Sequence, residues 1–171
     1  MSTFKLVYLA VLTSLALGLH AFEAYLPVPY LFPGAKLGLA NIVALYTLAS
    51  IGLSEALLVN VLRSVLGGMV SGTFLNIGFF LSFSGAVTSI LVMGLLQKAA
   101  RGALSLMGVS IAGAVTHNVT QLLVASLILR HAGLFFYLPY LLFFAIPTGM
   151  FVGFVAGKLK DIGARLVNSL T

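Results

Sequence analysis

The feature that most constrains this chain is its succession of long apolar runs separated by short polar breaks. The first run extends from Leu6 to Leu26 with His20 and Glu23 as its only acidic or basic side chains apart from the tyrosine hydroxyls. A helix that crosses a bilayer needs about 20 mostly apolar residues, and the pattern recurs along the chain. Charged residues make up 7% of the sequence, against about 25% in soluble domains, so too little polar surface exists to cover a water-soluble globule. In hydrocarbon, backbone groups must pair inside each segment or inside a closed barrel. These runs exceed barrel strands in length and lack their alternation. The expected fold is an all-α integral membrane protein, a bundle of six transmembrane helices forming a single domain over residues 1–171.

The helices are expected at about 5–26, 36–52, 53–70, 73–96, 104–129 and 136–158. The first run is too long for a signal-peptide apolar region and is read as a span. Ser50-Ile51-Gly52-Leu53-Ser54 separates helices two and three by a glycine turn, with Ser54 as the expected N-cap of the third. Between helices one and two, Pro27, Pro29 and Pro33 impose an irregular segment.

Nine Lys and Arg stand against three acids, Glu23, Glu55 and Asp161, for a formal charge of +6. The basic residues gather at the ends of apolar runs, which fits membrane topology rather than nucleic-acid binding. With six spans, Lys5, Lys98, Arg101, Lys158, Lys160 and Arg165 fall on one side, and Lys36 and Arg130 on the other. The positive-inside rule then puts both termini in the cytoplasm. The absence of cysteine excludes disulfides, thiolate nucleophiles and sulfur-ligated zinc, and no cofactor or metal is expected.

An ionisable group inside a membrane is costly and marks a functional candidate. Arg63, toward the outer end of helix three, is either an anion-binding residue in an outward-facing cavity or a residue that snorkels or pairs with Glu23. Helix five carries Thr116-His117-Asn118-Val119-Thr120-Gln121. His117 and Gln121 share a face at i and i+4, and Asn118 and Gln121 are three apart. Such groups either bind a ligand or join helices by hydrogen bonds. His20 and Glu23 line the same space or face the interface. Lys36 and the N–H groups opening helix two favour an anion. Lys36, Arg63, Asn76, Arg130 and His117 together would give the outer half an electropositive interior. The substrate-binding candidates are thus Lys36, Asn41, Arg63, Asn76, His117, Asn118 and Gln121. Two ladders of small residues, Ala10-Ser14-Gly18 and Gly149-Gly153-Gly157, permit close helix approach, within the monomer or against another membrane subunit.

The runs Pro33-Gly34-Ala35-Lys36-Leu37-Gly38-Leu39-Ala40-Asn41, Arg63-Ser64-Val65-Leu66-Gly67-Gly68-Met69-Val70-Ser71-Gly72, Ser82-Phe83-Ser84-Gly85 and His117-Asn118-Val119-Thr120-Gln121 occur in that order. They resemble the Gx transporter family, also labelled heptaprenyl diphosphate synthase component I, over nearly the whole chain. The chain is further similar to the six-helix S components of energy-coupling factor (ECF) transporters. That resemblance implies a membrane subunit that captures a vitamin or other micronutrient, or an isoprenoid or quinone precursor. It also implies association with a transmembrane coupling subunit and two ATPases, and release of cargo by toppling in the membrane. On that analogy Ala10, Ser14 and Gly18 form the coupling face and the proline segment gates the pocket.

The synthase label sits poorly with the chemistry. Prenyl elongation needs clustered aspartates for magnesium-diphosphate, and the chain has one aspartate, Asp161. It also lacks a phosphate-binding Gly-x-x-x-x-Gly-Lys-Ser/Thr loop, so ATP-driven work requires other subunits. The expectation is a non-enzymatic, substrate-binding transporter subunit in the cell membrane. The alternatives are a non-catalytic membrane partner of a polyprenyl diphosphate synthase and a self-sufficient carrier or channel.

Overall fold

The computed structural model describes residues 2–24, 38–100 and 102–170, with side chains through residue 165 apart from residue 24. The proline segment, Lys36 and Arg101 lie outside the described residues. Among the described residues six α-helices follow one another: α1 Thr3–Ala24, α2 Leu39–Ser50, α3 Leu53–Val70, α4 Ile77–Ala100, α5 Leu106–Leu129 and α6 Leu138–Leu170. A 3-10 helix, Ala132–Tyr137, leads into α6. No strand occurs among the described residues.

Among the described residues five segments are long and apolar enough to cross a membrane: Thr3–Glu23, Leu53–Val70, Ile77–Ala100, Leu106–Leu129 and Ala132–Arg165. In the most apolar stretch of each, a third or less of the residues is buried inside the protein. Phe4, Leu127, Phe136 and Phe143 are among the large apolar side chains that point outward. Exposure on that scale is unstable in water and normal against lipid, so the chain is a multi-pass membrane protein.

The second helix departs from the expected 36–52. Its described part has 12 residues, about 18 Å at 1.5 Å per residue, which is short of the roughly 30 Å hydrocarbon core. It still returns the chain from the end of α1, where Glu23 meets Gly38, to the side where α1 begins, where Tyr8 meets Tyr46, and it is the hub of the bundle, touching α1, α3, α4 and α6. Ile42, Ala44, Leu45 and Leu48 join one apolar cluster with Ile90, Met93, Val109 and Val152. Val43 joins another with Leu9, Leu12, Ala16 and Val59. A helix surrounded on most sides must be apolar on most sides, which is why its sequence reads like a lipid-facing span.

Boundaries shift for local reasons. Gly52, at φ 149° and ψ 176°, is the N-cap of α3, so the turn is set by a backbone conformation open to glycine and Ser54 falls inside the first helical turn. The fourth helix starts at Ile77 rather than 73 because the Asn76 side-chain oxygen accepts from the Phe79 N–H at 2.8 Å, a side-chain N-cap. The last helix runs to Leu170, past the expected end at 158, carrying the basic tail as helix. Near the N-termini of α1 and α3, Lys5 pairs with Glu55, and the Tyr8 and Tyr46 hydroxyls are hydrogen-bonded at 2.8 Å.

Candidate binding site

All six α-helices contribute to one cavity. Its walls follow helical spacing: His20 and Glu23 on α1; Gly38, Asn41 and Leu45 at the start of α2; Ser82, Ser89 and Met93 on α4. Ser110, Ala114, His117 and Asn118 come from α5, Phe144, Thr148 and Val152 from α6, and Arg63 from α3. The cavity is partly open and offers a space of about 60 Å³. One water needs roughly 10–15 Å³, so the cavity suits a few small polar groups, not an extended chain.

Arg63 is 6% exposed, which removes snorkelling to the headgroups as its explanation. It lies seven residues before the last residue of α3, Val70. Its Nη2 donates to the Asn60 side-chain oxygen at 2.7 Å, and Asn60 Nδ2 donates to the Ala86 carbonyl at 2.7 Å. Asn60 thereby ties α3 to α4 and orients the guanidinium. Among the described residues the buried Arg63 Nε–H has no hydrogen-bond partner, a cost of about 1–3 kcal/mol for a buried donor.

Glu23 and Arg63 face the same cavity without a direct ion pair between them. The Glu23 Oε1 accepts the Gly38 backbone N–H at 2.6 Å, at the N-terminus of α2, where a carboxylate is favoured by the unpaired N–H groups and the helix dipole. This helix start was expected to receive an outside anion. One of its N–H groups is instead taken by the protein's own carboxylate.

Two groups of hydroxyls contrast. Thr13, Thr47, Ser64, Thr88, Thr116 and Thr148 donate to the carbonyl four residues earlier in their own helices, the usual way a helical hydroxyl is satisfied in hydrocarbon. Ser82, Ser89 and Ser110 line the cavity and make no such bond, although Ser89 and Ser110 are buried.

Of the seven candidates, Asn41, Arg63, His117 and Asn118 line the cavity. Asn118 also joins helices, since its Nδ2 donates to the Leu141 carbonyl at 3.0 Å. Asn76 is exposed and caps α4, so it belongs to helix initiation. Gln121 is not in the wall. A Cβ at Gly85 would stand 3.0 Å from Gln121 Cγ and from His117 Nδ1, so Gly85 admits this face of α5 against α4. Arg130 is an exposed C-cap of α5 at φ 50° rather than an interior charge. His20 and Glu23 do line the cavity. Sequence reasoning passed over Ser82, Ser89, Ser110 and Thr148. A hint lay in the seven-residue spacing of Ser82 and Ser89, which puts both on one face of a helix.

The family model for heptaprenyl diphosphate synthase component I matches residues 12–159, which include every described residue of the cavity wall. Comparisons with curated proteins and with solved structures gave no match.

Proposed function

The chain belongs to the heptaprenyl diphosphate synthase component I family, and on that premise we propose that it is a substrate-binding membrane subunit of the ECF type. It captures a small polar or anionic micronutrient, or a small isoprenoid or quinone precursor, from outside the cell. The observation that carries this reading is the cavity: a buried guanidinium with an unpartnered donor, beside hydroxyls that forgo their own helix carbonyls. Groups arranged that way raise the cost of the empty state and lower that of a bound polar ligand.

The subunit lies in the cell membrane with both termini in the cytoplasm, a reading supported by the basic residues near the two chain ends. It works with a transmembrane coupling subunit and two ATPases. Impermeant thiol reagents should leave Ser2→Cys unlabelled in intact cells; labelling there would reverse the orientation.

The family name supports a second reading, a non-catalytic membrane partner of a prenyl diphosphate synthase. The small cavity and the single aspartate favour a binding role over elongation chemistry in this chain. Affinity purification of the intact protein from native membranes separates the two. A coupling subunit with ATPases supports transport, whereas a soluble prenyltransferase in their place overturns it. Native mass spectrometry of the same preparation identifies any retained ligand.

A further inference from the structure

We infer that the ligand of this cavity is a small zwitterion, its anionic group on Arg63 and its cationic group on Glu23. The inference rests on the cavity being the binding site and adds the charge pattern of what it holds.

Arg63 and Glu23 carry opposite charges and line the same cavity, yet no ion pair joins them. Two unit charges at 4 Å attract by about 4 kcal/mol at an effective dielectric of 20, so side chains free to meet would do so. Each is tethered to its own wall by a neutral group: Arg63 by Asn60, itself anchored to the Ala86 carbonyl, and Glu23 by the Gly38 N–H. Tethered in this way, the guanidinium and the carboxylate face the same cavity without a direct ion pair. The unpartnered Nε–H of Arg63 is the natural second donor for an incoming carboxylate, because a guanidinium binds carboxylates through paired donors.

Net charge sharpens the choice. Among the described residues, the formal charges of Arg63 and Glu23 cancel, and the other ionisable groups of the wall are His20 and His117. A diphosphate would gain one guanidinium and confront one carboxylate. A molecule with one anionic and one cationic group meets a complement at both ends, while Ser89 and Ser110 offer hydroxyls between the helices.

The test uses the purified full-length protein in detergent and reads its thermal midpoint with matched probes. These are the ω-amino acids β-alanine, γ-aminobutyrate and δ-aminovalerate, the dianions succinate and glutarate, and inorganic diphosphate. At millimolar concentration at least one ω-amino acid should raise the midpoint by roughly 3 °C or more, and the dianions and diphosphate by less than a third of that. Glu23→Gln keeps an oxygen for the Gly38 N–H and removes the negative charge, so its ranking should reverse in favour of the dianions. Arg63→Met should abolish the shift with every probe. If that variant does not fold, the ranking on the unmodified protein still decides. Diphosphate or a dianion outranking every ω-amino acid on the unmodified protein overturns the inference, as does the absence of any shift with the ω-amino acids. Purification partners are a separate readout: a bound prenyltransferase together with an ω-amino-acid preference would remove the transporter reading and leave this one standing.

Discussion

Two ladders of small residues with the same four-residue spacing meet opposite fates. In α6, Gly149 and Gly153 are pressed against α5: a Cβ at Gly149 would stand 2.7 Å from Ile111 Cα, and one at Gly153 would stand 2.6 Å from Met107 Cα. In α1, Ala10, Ser14 and Gly18 are exposed, and a Cβ at Gly18 would meet nothing within 4 Å. The first ladder lets two backbones touch, so the contact is built on van der Waals packing without side chains between the helices. The second faces away from its own bundle. Spacing alone marks where a close approach is possible, and only the packed structure shows where it is made. The α1 ladder therefore remains available for the coupling role proposed for it, while the α6 ladder is spent inside the monomer.

The sharpest way to break this contrast is to fill the α6 ladder. Gly153→Ala forces α5 and α6 apart at a backbone contact, and overpacking of that kind costs about 1–3 kcal/mol or more. The midpoint in detergent should fall by roughly 2–12 °C. An unchanged midpoint would mean that the two helices can separate freely and that the ladder is not a packing device. Ser14→Leu on the exposed ladder should leave that midpoint and probe binding close to the unmodified protein's. Yield of the coupling subunit in co-purification should then drop severalfold. Loss of stability instead would assign the α1 ladder to the monomer.

Gly18→Ala gives the smallest effect and the one of opposite sign. The site is helical and open, so an added methyl should stabilise the isolated subunit by about 0.5–1 kcal/mol through lower unfolded-state entropy. A midpoint that falls would reveal a neighbour at Gly18. Gly157 already hints that position along a ladder matters, since its nearest neighbour would be 3.9 Å away at Leu106, where the two helices are no longer in backbone contact.

The same distinction runs through the site. Arg63, His117, Asn118 and Asn41 were legible because polar groups in apolar runs are costly and must serve something. Asn76 carried the same signature and proved to be a helix cap, because an amide one residue before a helix satisfies an N–H that sequence cannot see to be orphaned. Ser89 and Ser110 were not legible. In a helix a serine normally satisfies itself, and whether it turns to a cavity depends on what the neighbouring helices leave open.

By itself the sequence determined the solvent, the helical class, most helix positions and the presence of costly polar groups, because each follows from the transfer cost of residues and backbone along one segment. Tertiary structure decided the rest: that the short α2 is a buried hub, that Glu23 and Arg63 face one cavity from separate tethers, and which glycine ladder is filled. These depend on distances between residues far apart in the chain. Hydropathy sums along the chain do not contain them, since a buried helix and a lipid-facing one pay the same price for a polar side chain.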